Sequence, residues 1–169
     1  MPFPADSALG ALMATLPRPG QVRWIGLRPA RDVPMDEVTR VEAVAGKGLV
    51  GDRYKSGSGK RGITLIQAEH LPVVAALSGL SEVSPATLRR NVVVSGLPVV
   101  ALKGRRFRIG TAVFEGTGDC DPCSRMEAAL GPGGYNAMRQ HGGLCARVVT
   151  SGSFGLGDAV EPLAPGDAS

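Results

Sequence analysis

The sequence predicts a mainly β barrel with short helical insertions, one domain over residues 21–169 behind an N-terminal extension at 1–20. Three observations carry this. Short apolar stretches alternate with polar residues along much of the chain, the period of half-buried strands. The 169 residues include 24 glycines and 13 prolines, which break the chain into many turns. The strands do not alternate regularly with helices, as they would in a parallel α/β fold. The apolar share of 43% and charged share of 20% are those of a globular chain long enough to bury a core.

The elements follow in order. Asp6 or Ser7 can cap a short helix carrying Leu9, Leu12, Met13 and Leu16, which "PRPG" (17–20) ends. "QVRWIGLR" (21–28) is a strand with Val22, Trp24 and Gly26 on one side, and "VTRVEAVAG" (38–46) alternates through Val41, Ala43 and Ala45. "GLVGDRYKSGSGKRG" (48–62) is a glycine-rich loop bearing Arg53, Lys55, Lys60 and Arg61. "ITLIQ" (63–67) is a buried strand, and "AEHLPVVAALSGL" (68–80) a helix with proline in its first turns. "SPATLRRNVVVSGL" (84–97) starts as a capped turn and ends as a strand over Val92–Val94. "GRRFRIG" and "TAVFEGTG" form a hairpin about Gly110-Thr111. Helices are expected over 122–130 and 133–140, then strands in 144–152 and 158–163.

The charge and cysteine content exclude several classes. A net charge of +4 without a Lys/Arg run, and only 4% aromatic residues, do not describe a nucleic-acid binder. A small anionic ligand accounts for the excess equally well. Three cysteines in a chain this long point away from a disulfide framework and towards a reducing compartment. No signal-like segment opens the chain, and no apolar run approaches the ~20 residues of a membrane span. These features together predict a cytoplasmic protein.

Two loops invite a nucleotide reading. "GSGKRG" (57–62) fits G-x-G-x-x-G, but a strand follows where a dinucleotide site needs a helix. A Walker loop would need glycine at Tyr54 and Ser or Thr at Arg61. What remains is a cationic loop suited to lie over an anion. "LRRN" (88–91) adds two guanidiniums and an amide at a turn-to-strand junction, groups that suit phosphate and heterocycle edges.

The cysteines carry the sharper question. Cys120, Cys123, His141 and Cys145 form C-x2-C-x17-H-x3-C, which resembles structural zinc spacing. Cys120-Asp-Pro-Cys123 also fits a redox pair, although that reading calls for a βαβ unit, and the pattern shows none. A third reading takes Cys123 as a single reactive thiolate. Pro122 would open the helix, Cys123 would lie in its first turn, and Arg125 would add positive charge.

The ordered set "GLVGDR" (48–53), "ITLIQAEHL" (63–71), "LRRNVVVSGL" (88–97), "GRRFRIG" (104–110), "EGTGDCDPCSRME" (115–127), "GGLCARV" (142–148) and "GD-V" (157–160) resembles the MOSC domain, the C-terminal domain of molybdenum cofactor sulfurases. The resemblance spans about residues 22–163 and is greatest to small stand-alone bacterial members. It implies a MOSC-type β barrel that binds the molybdenum cofactor (molybdopterin) or carries sulfur, without pyridoxal phosphate. Cys123 is then the catalytic position, as persulfide site or thiolate ligand to molybdenum. Arg89 and Asn91 match positions that contact the pterin or its phosphate, and Arg53, Lys60, Arg61 and Thr64 lie in the stretch that supplies further anchors. Implied partners are the cofactor itself or its biosynthetic and sulfur-donor proteins, with no nucleic acid and no membrane. Tyr54 departs from the histidine that many relatives carry after "GDR". Alternatives are a molybdenum-dependent reductase of N-hydroxylated compounds, a zinc-stabilised binding module, and a degenerate domain that only binds a partner.

Overall fold

The computed structural model of the protein describes residues 3–54, 57–164 and 167. The chain runs α1 (Ala8–Ala14), β1 (Gly20–Leu27), β2 (Asp36–Glu37), β3 (Arg40–Val44), β4 (Gly48–Leu49), β5 (Ile63–Gln67), α2 (His70–Leu77) and β6 (Val92–Ser95). A 3-10 turn (Val99–Leu102) follows, then β7 (Arg106–Ile109), β8 (Ala112–Asp119), α3 (Ser124–Leu130), α4 (Gly134–Met138), β9 (Leu144–Thr150), β10 (Gly152–Gly155) and β11 (Ala159–Pro162). Seven strands close in the order β1-β6-β5-β9-β8-β7-β11, with β11 returning to β1. The mainly β barrel with short helical insertions is therefore the observed fold. A small sheet, β10-β3-β4, packs beside it.

All neighbouring barrel strands are antiparallel except β5 and β6. Parallel neighbours need a crossover, and α2 provides it. The sequence reading expected no βαβ unit; β5-α2-β6 is one, hidden because a single crossover leaves no repeating pattern.

Closure puts one apolar face inside. Val22, Ile25, Leu65, Val92, Val94, Phe107 and Phe114 lie within the barrel core. Phe114 stacks on Phe107 at 5.5 Å and meets Phe154 edge-on at 5.8 Å. Phe114→Ala removes the ring that joins the barrel to the small sheet, and is expected to cost about 3–5 kcal/mol, read as a lower urea midpoint. A second cluster lies outside the barrel wall, where Val74, Met126, Leu130 and Met138 of the helices cover Ile66 and Val93.

Two local expectations change. The sequence put Val22 and Trp24 on one face, but the β1–β6 register shifts between them. That bulge inverts the parity: Ile25 enters the core, and Trp24 packs outside among the helices. The helix expected from Pro122 starts at Ser124, so Cys123 is its N-cap, with φ −131° and ψ 178°. Cys123 is thus held in extended backbone, one residue outside the first turn. At the N-terminus Ser7 is the cap, its hydroxyl accepting from Gly10 N at 3.0 Å. Lys55 lies outside the described residues.

Candidate functional site

The end of β8 and the segment 120–123 form a wall with a cavity on each side. One cleft of about 360 Å³ is lined by Lys60, Arg61, Thr117, Pro122, Cys123 and Cys145. Another, of about 300 Å³, is lined by His70, Asp119, Cys120, Asp121, Gln140 and Gly142. Thr117 ties the first cleft together, its hydroxyl lying between the carbonyls of Lys60 and Cys145 with its single proton to donate. Cys123 is exposed, whereas Cys120 and Cys145 are buried. The two cysteines of C-x-x-C therefore serve different cavities.

Of the two buried thiols, Cys120 is the one that its surroundings hold down. A hydrogen bond with Cys145 lowers it first; burial opposes this, and the charges of Arg90 and Arg61 lower it further, to about 6. Cys145 is pushed up, first by the same hydrogen bond and then by burial. Arg61 is held more firmly charged by the sulfur pair, with Cys145 the larger influence. Arg125, expected to serve Cys123, pairs with Asp32 at 3.5 Å.

A buried polar network stands behind "GDR" and "LRRN". The Asp52 side chain is fully enclosed. It accepts from Arg28 Nε at 3.0 Å and Arg28 Nη2 at 2.8 Å, from the backbone N–H of Arg28 at 2.8 Å, and from Asn91 Nδ2 at 3.0 Å. Burial raises the Asp52 carboxyl, but its bonds and charge interaction with Arg28 outweigh this and hold it below the usual range. Asn91 Oδ1 accepts from Thr64 N and Thr64 Oγ1, and its Nδ2 also donates to Gly26 O. Asn91 and Thr64 are 0% and 4% exposed, so both face each other inside the wall.

Arg89 sits above this network at a φ of 54°. Its guanidinium donates to Val33 O at 2.6 Å and Ala30 O at 3.1 Å. Burial lowers its pKa, and Arg28, Arg53 and Arg125 lower it further by repulsion, against the attraction of Asp32. Arg28 is paired with Asp52 and Arg125 with Asp32, and an anion beside Arg89 would relieve the repulsion that remains.

The expected site residues thus fall into three groups. Lys60, Arg61 and Cys123 share the larger cleft; Arg53 and Arg89 belong to the arginine cluster; Thr64 and Asn91 are internal supports. The zinc set does not assemble: among the described residues no group of three or more His, Cys, Asp or Glu is placed to hold a metal. His141 instead sets Nδ1 3.2 Å from Ala137 O, and its ring is edge-on to His70 at 5.2 Å.

The family model described as the MOSC domain matches residues 52–161. The chain belongs to the MOSC domain family. MOSC domains are associated with molybdenum cofactor binding or sulfurase-type function. The MOSC fold is shared with the YuaD protein from Bacillus subtilis at a TM-score of 0.77, 18% identity, and coverage of 88% of this chain and 98% of that one. YiiM from Geobacillus stearothermophilus gives 0.70 at 20% identity, covering 89% of this chain and 78% of its own. YiiM from Escherichia coli gives 0.67 at 18%, covering 86% and 70%. No curated protein matches in sequence. No helix among the described residues is long and apolar enough to cross a membrane.

Sequence reasoning missed Arg28, Asp52, Arg90 and Thr117 in this MOSC domain. Arg90 had no local signal of burial, because it lies in the turn before β6 where strand alternation does not apply. Arg28 and Asp52 had none, because they meet only when the 48–54 loop folds back on the end of β1.

Proposed function

We propose that this MOSC domain holds the molybdenum cofactor, or carries sulfur for it, through Cys123. The observation that carries the reading is an exposed thiol in a cleft edged by Lys60 and Arg61, while Arg125, on the helix that Cys123 caps, faces the arginine cluster around Arg89. The donor set fits the group. A thiolate is a soft ligand for molybdenum or a carrier for sulfane sulfur, and guanidiniums match a phosphate. When bound, the cofactor would supply a molybdenum centre for atom or electron transfer.

The chain's own residues divide that work. Cys123 offers one sulfur at the mouth of the cleft. Arg53 and Arg89, with Arg28 and Arg125, supply positive charge for the phosphate. Arg89 uses two of its N–H groups on the carbonyls of Val33 and Ala30, which aims the fork and leaves the other donors for a ligand. Thr64, Asn91 and Asp52 fix the floor beneath it.

The test is protein purified from a molybdopterin-producing host. Elemental analysis reads molybdenum, and peptide mass spectrometry reads one added sulfur atom on Cys123. Cys123→Ala is expected to remove both signals, and Arg89→Ala to lower pterin retention while leaving Cys123 intact. Full molybdenum and pterin occupancy in Cys123→Ala, with any sulfur on another residue, would sink the reading.

A further inference from the structure

We propose that Cys120 and Cys145 form a second reactive site, separate from Cys123, in which Cys120 is a peroxide-reactive thiolate and Cys145 its resolving thiol. The register brings them together. Gly118 pairs with Cys145 across β8 and β9, and two residues on, Cys120 N donates to Gly143 O at 2.9 Å. Cys120 and Cys145 therefore lie on one face as diagonal neighbours, and each thiol feels the other. Both are nearly sealed, at 2% and 3% exposure.

A buried cation supports the charge assignment. Arg90 is 7% exposed. Its donors go to the carbonyls of Gly142 at 2.7 Å, Leu88 at 3.0 Å and Cys120 at 3.1 Å. Among the described residues no carboxylate pairs with it. A buried guanidinium without a counter-charge is costly; Arg90 already holds the Cys120 carbonyl, and its charge lowers the Cys120 thiol. Arg90 is bonded at Cys120 and its charge lowers that thiol, which assigns Cys120 the thiolate role in the proposed pair.

The cavity suits a small oxidant. Its volume is about 300 Å³, and His70 lines it beside Cys120. A peroxide is little larger than a water, whose share of the liquid is about 30 Å³.

The chemistry balances with hydrogen peroxide as the named oxidant. The Cys120 thiolate attacks one peroxide oxygen. An S–O bond forms, the O–O bond breaks, hydroxide leaves, and sulfur loses two electrons to the departing oxygen. The Cys145 thiol then attacks the Cys120 sulfenic sulfur. An S–S bond forms, and the displaced hydroxyl leaves as water with the Cys145 proton. The disulfide removes a negative charge beside Arg61, which also lines the Cys123 cleft, so oxidation makes that cleft more positive.

The experiment uses the full chain as Cys123→Ala, reduced and then exposed to hydrogen peroxide, with peptide mass mapping without reductant. The expected product links the Cys120 and Cys145 peptides, both thiols being lost together. Cys145→Ser in the same background is expected to stop at a sulfenic acid on Cys120, captured by dimedone, and Cys120→Ser to leave Cys145 reduced. Since a buried replacement can unfold the protein, the unmutated chain is mapped as well. There the oxidation rate of Cys120 should rise with pH to a plateau, with a midpoint below the ordinary thiol range set by Cys145, Arg90 and Arg61, while His70, Asp119 and Asp121 line the same cavity. A Cys120–Cys123 link, oxidation of Cys145 ahead of Cys120, or a reduced pair after Cys123 has been consumed would each overturn the proposal.

Discussion

Asp52→Ala is expected to destabilise the protein by about 3–5 kcal/mol, the cost of breaking a buried ion pair from one side. The carboxylate is fully enclosed and receives Arg28 through two guanidinium nitrogens and its backbone N–H. It also receives the amide of Asn91 and the backbone N–H of Tyr54. Alanine leaves the Arg28 charge half-buried without its partner and strands those donors. The loss should appear as a lower denaturant midpoint. It should also loosen Thr64 and Asn91, which share the network, and so weaken the floor under Arg89.

The same group predicts an acid dependence. Asp52 is held below its ordinary value, so its contribution is complete above the unfolded carboxylate range, about pH 4. It is lost as pH falls through the lower, folded value. Wild-type stability should therefore drop below about pH 4, and Asp52→Asn, which cannot titrate, should remove that part of the slope. An unchanged acid slope in Asp52→Asn would show that the carboxylate is not the group responsible.

Gly143→Ala is expected to cost a similar amount, about 3–5 kcal/mol, from left-handed strain plus overpacking. Gly143 has a φ of +92°, and a Cβ there would lie 1.9 Å from Leu65 O and 3.0 Å from Ile66 Cα. The obstacle is the backbone of β5, which cannot swing aside as a side chain would. Relief requires the start of β9 to move off β5. Gly143 O accepts from Cys120 N, and the next residue but one is Cys145, so the movement should separate the two thiols. The check is a thermal melt alongside thiol reactivity: Cys120 should become more accessible at temperatures below the transition. A variant as stable as wild type would contradict the close approach.

Much of the barrel was legible because strand period, turn residues and the Gly110-Thr111 hairpin are local signals. "ITLIQ" over 63–67 and the helix start near His70 came through for the same reason. The bulge in β1 did not, since a one-residue register shift leaves no mark on an alternating pattern until the partner strand is known. Pro122 pointed to a helix beginning there, yet the segment stays extended to Cys123 because Cys120 continues the ladder with β9. In the site, Cys123, Lys60 and Arg61 were found as residue types in suggestive loops. Asp52 was passed over, and Arg90 reads with Arg89 as a group for phosphate, whereas it is buried with its donors on backbone carbonyls.

By itself the sequence determined a barrel-forming pattern of short strands, three thiols without a disulfide framework, and an ordered set of motifs that belongs to the MOSC domain family. Tertiary structure decided how the thiols divide. Closure of the β8–β9–β5 wall sets Cys120 beside Cys145 and a buried Arg90, and leaves Cys123 the exposed thiol. That division rests on ladder register and on the buried charge of a residue 30 positions away in the chain, neither of which local pattern encodes.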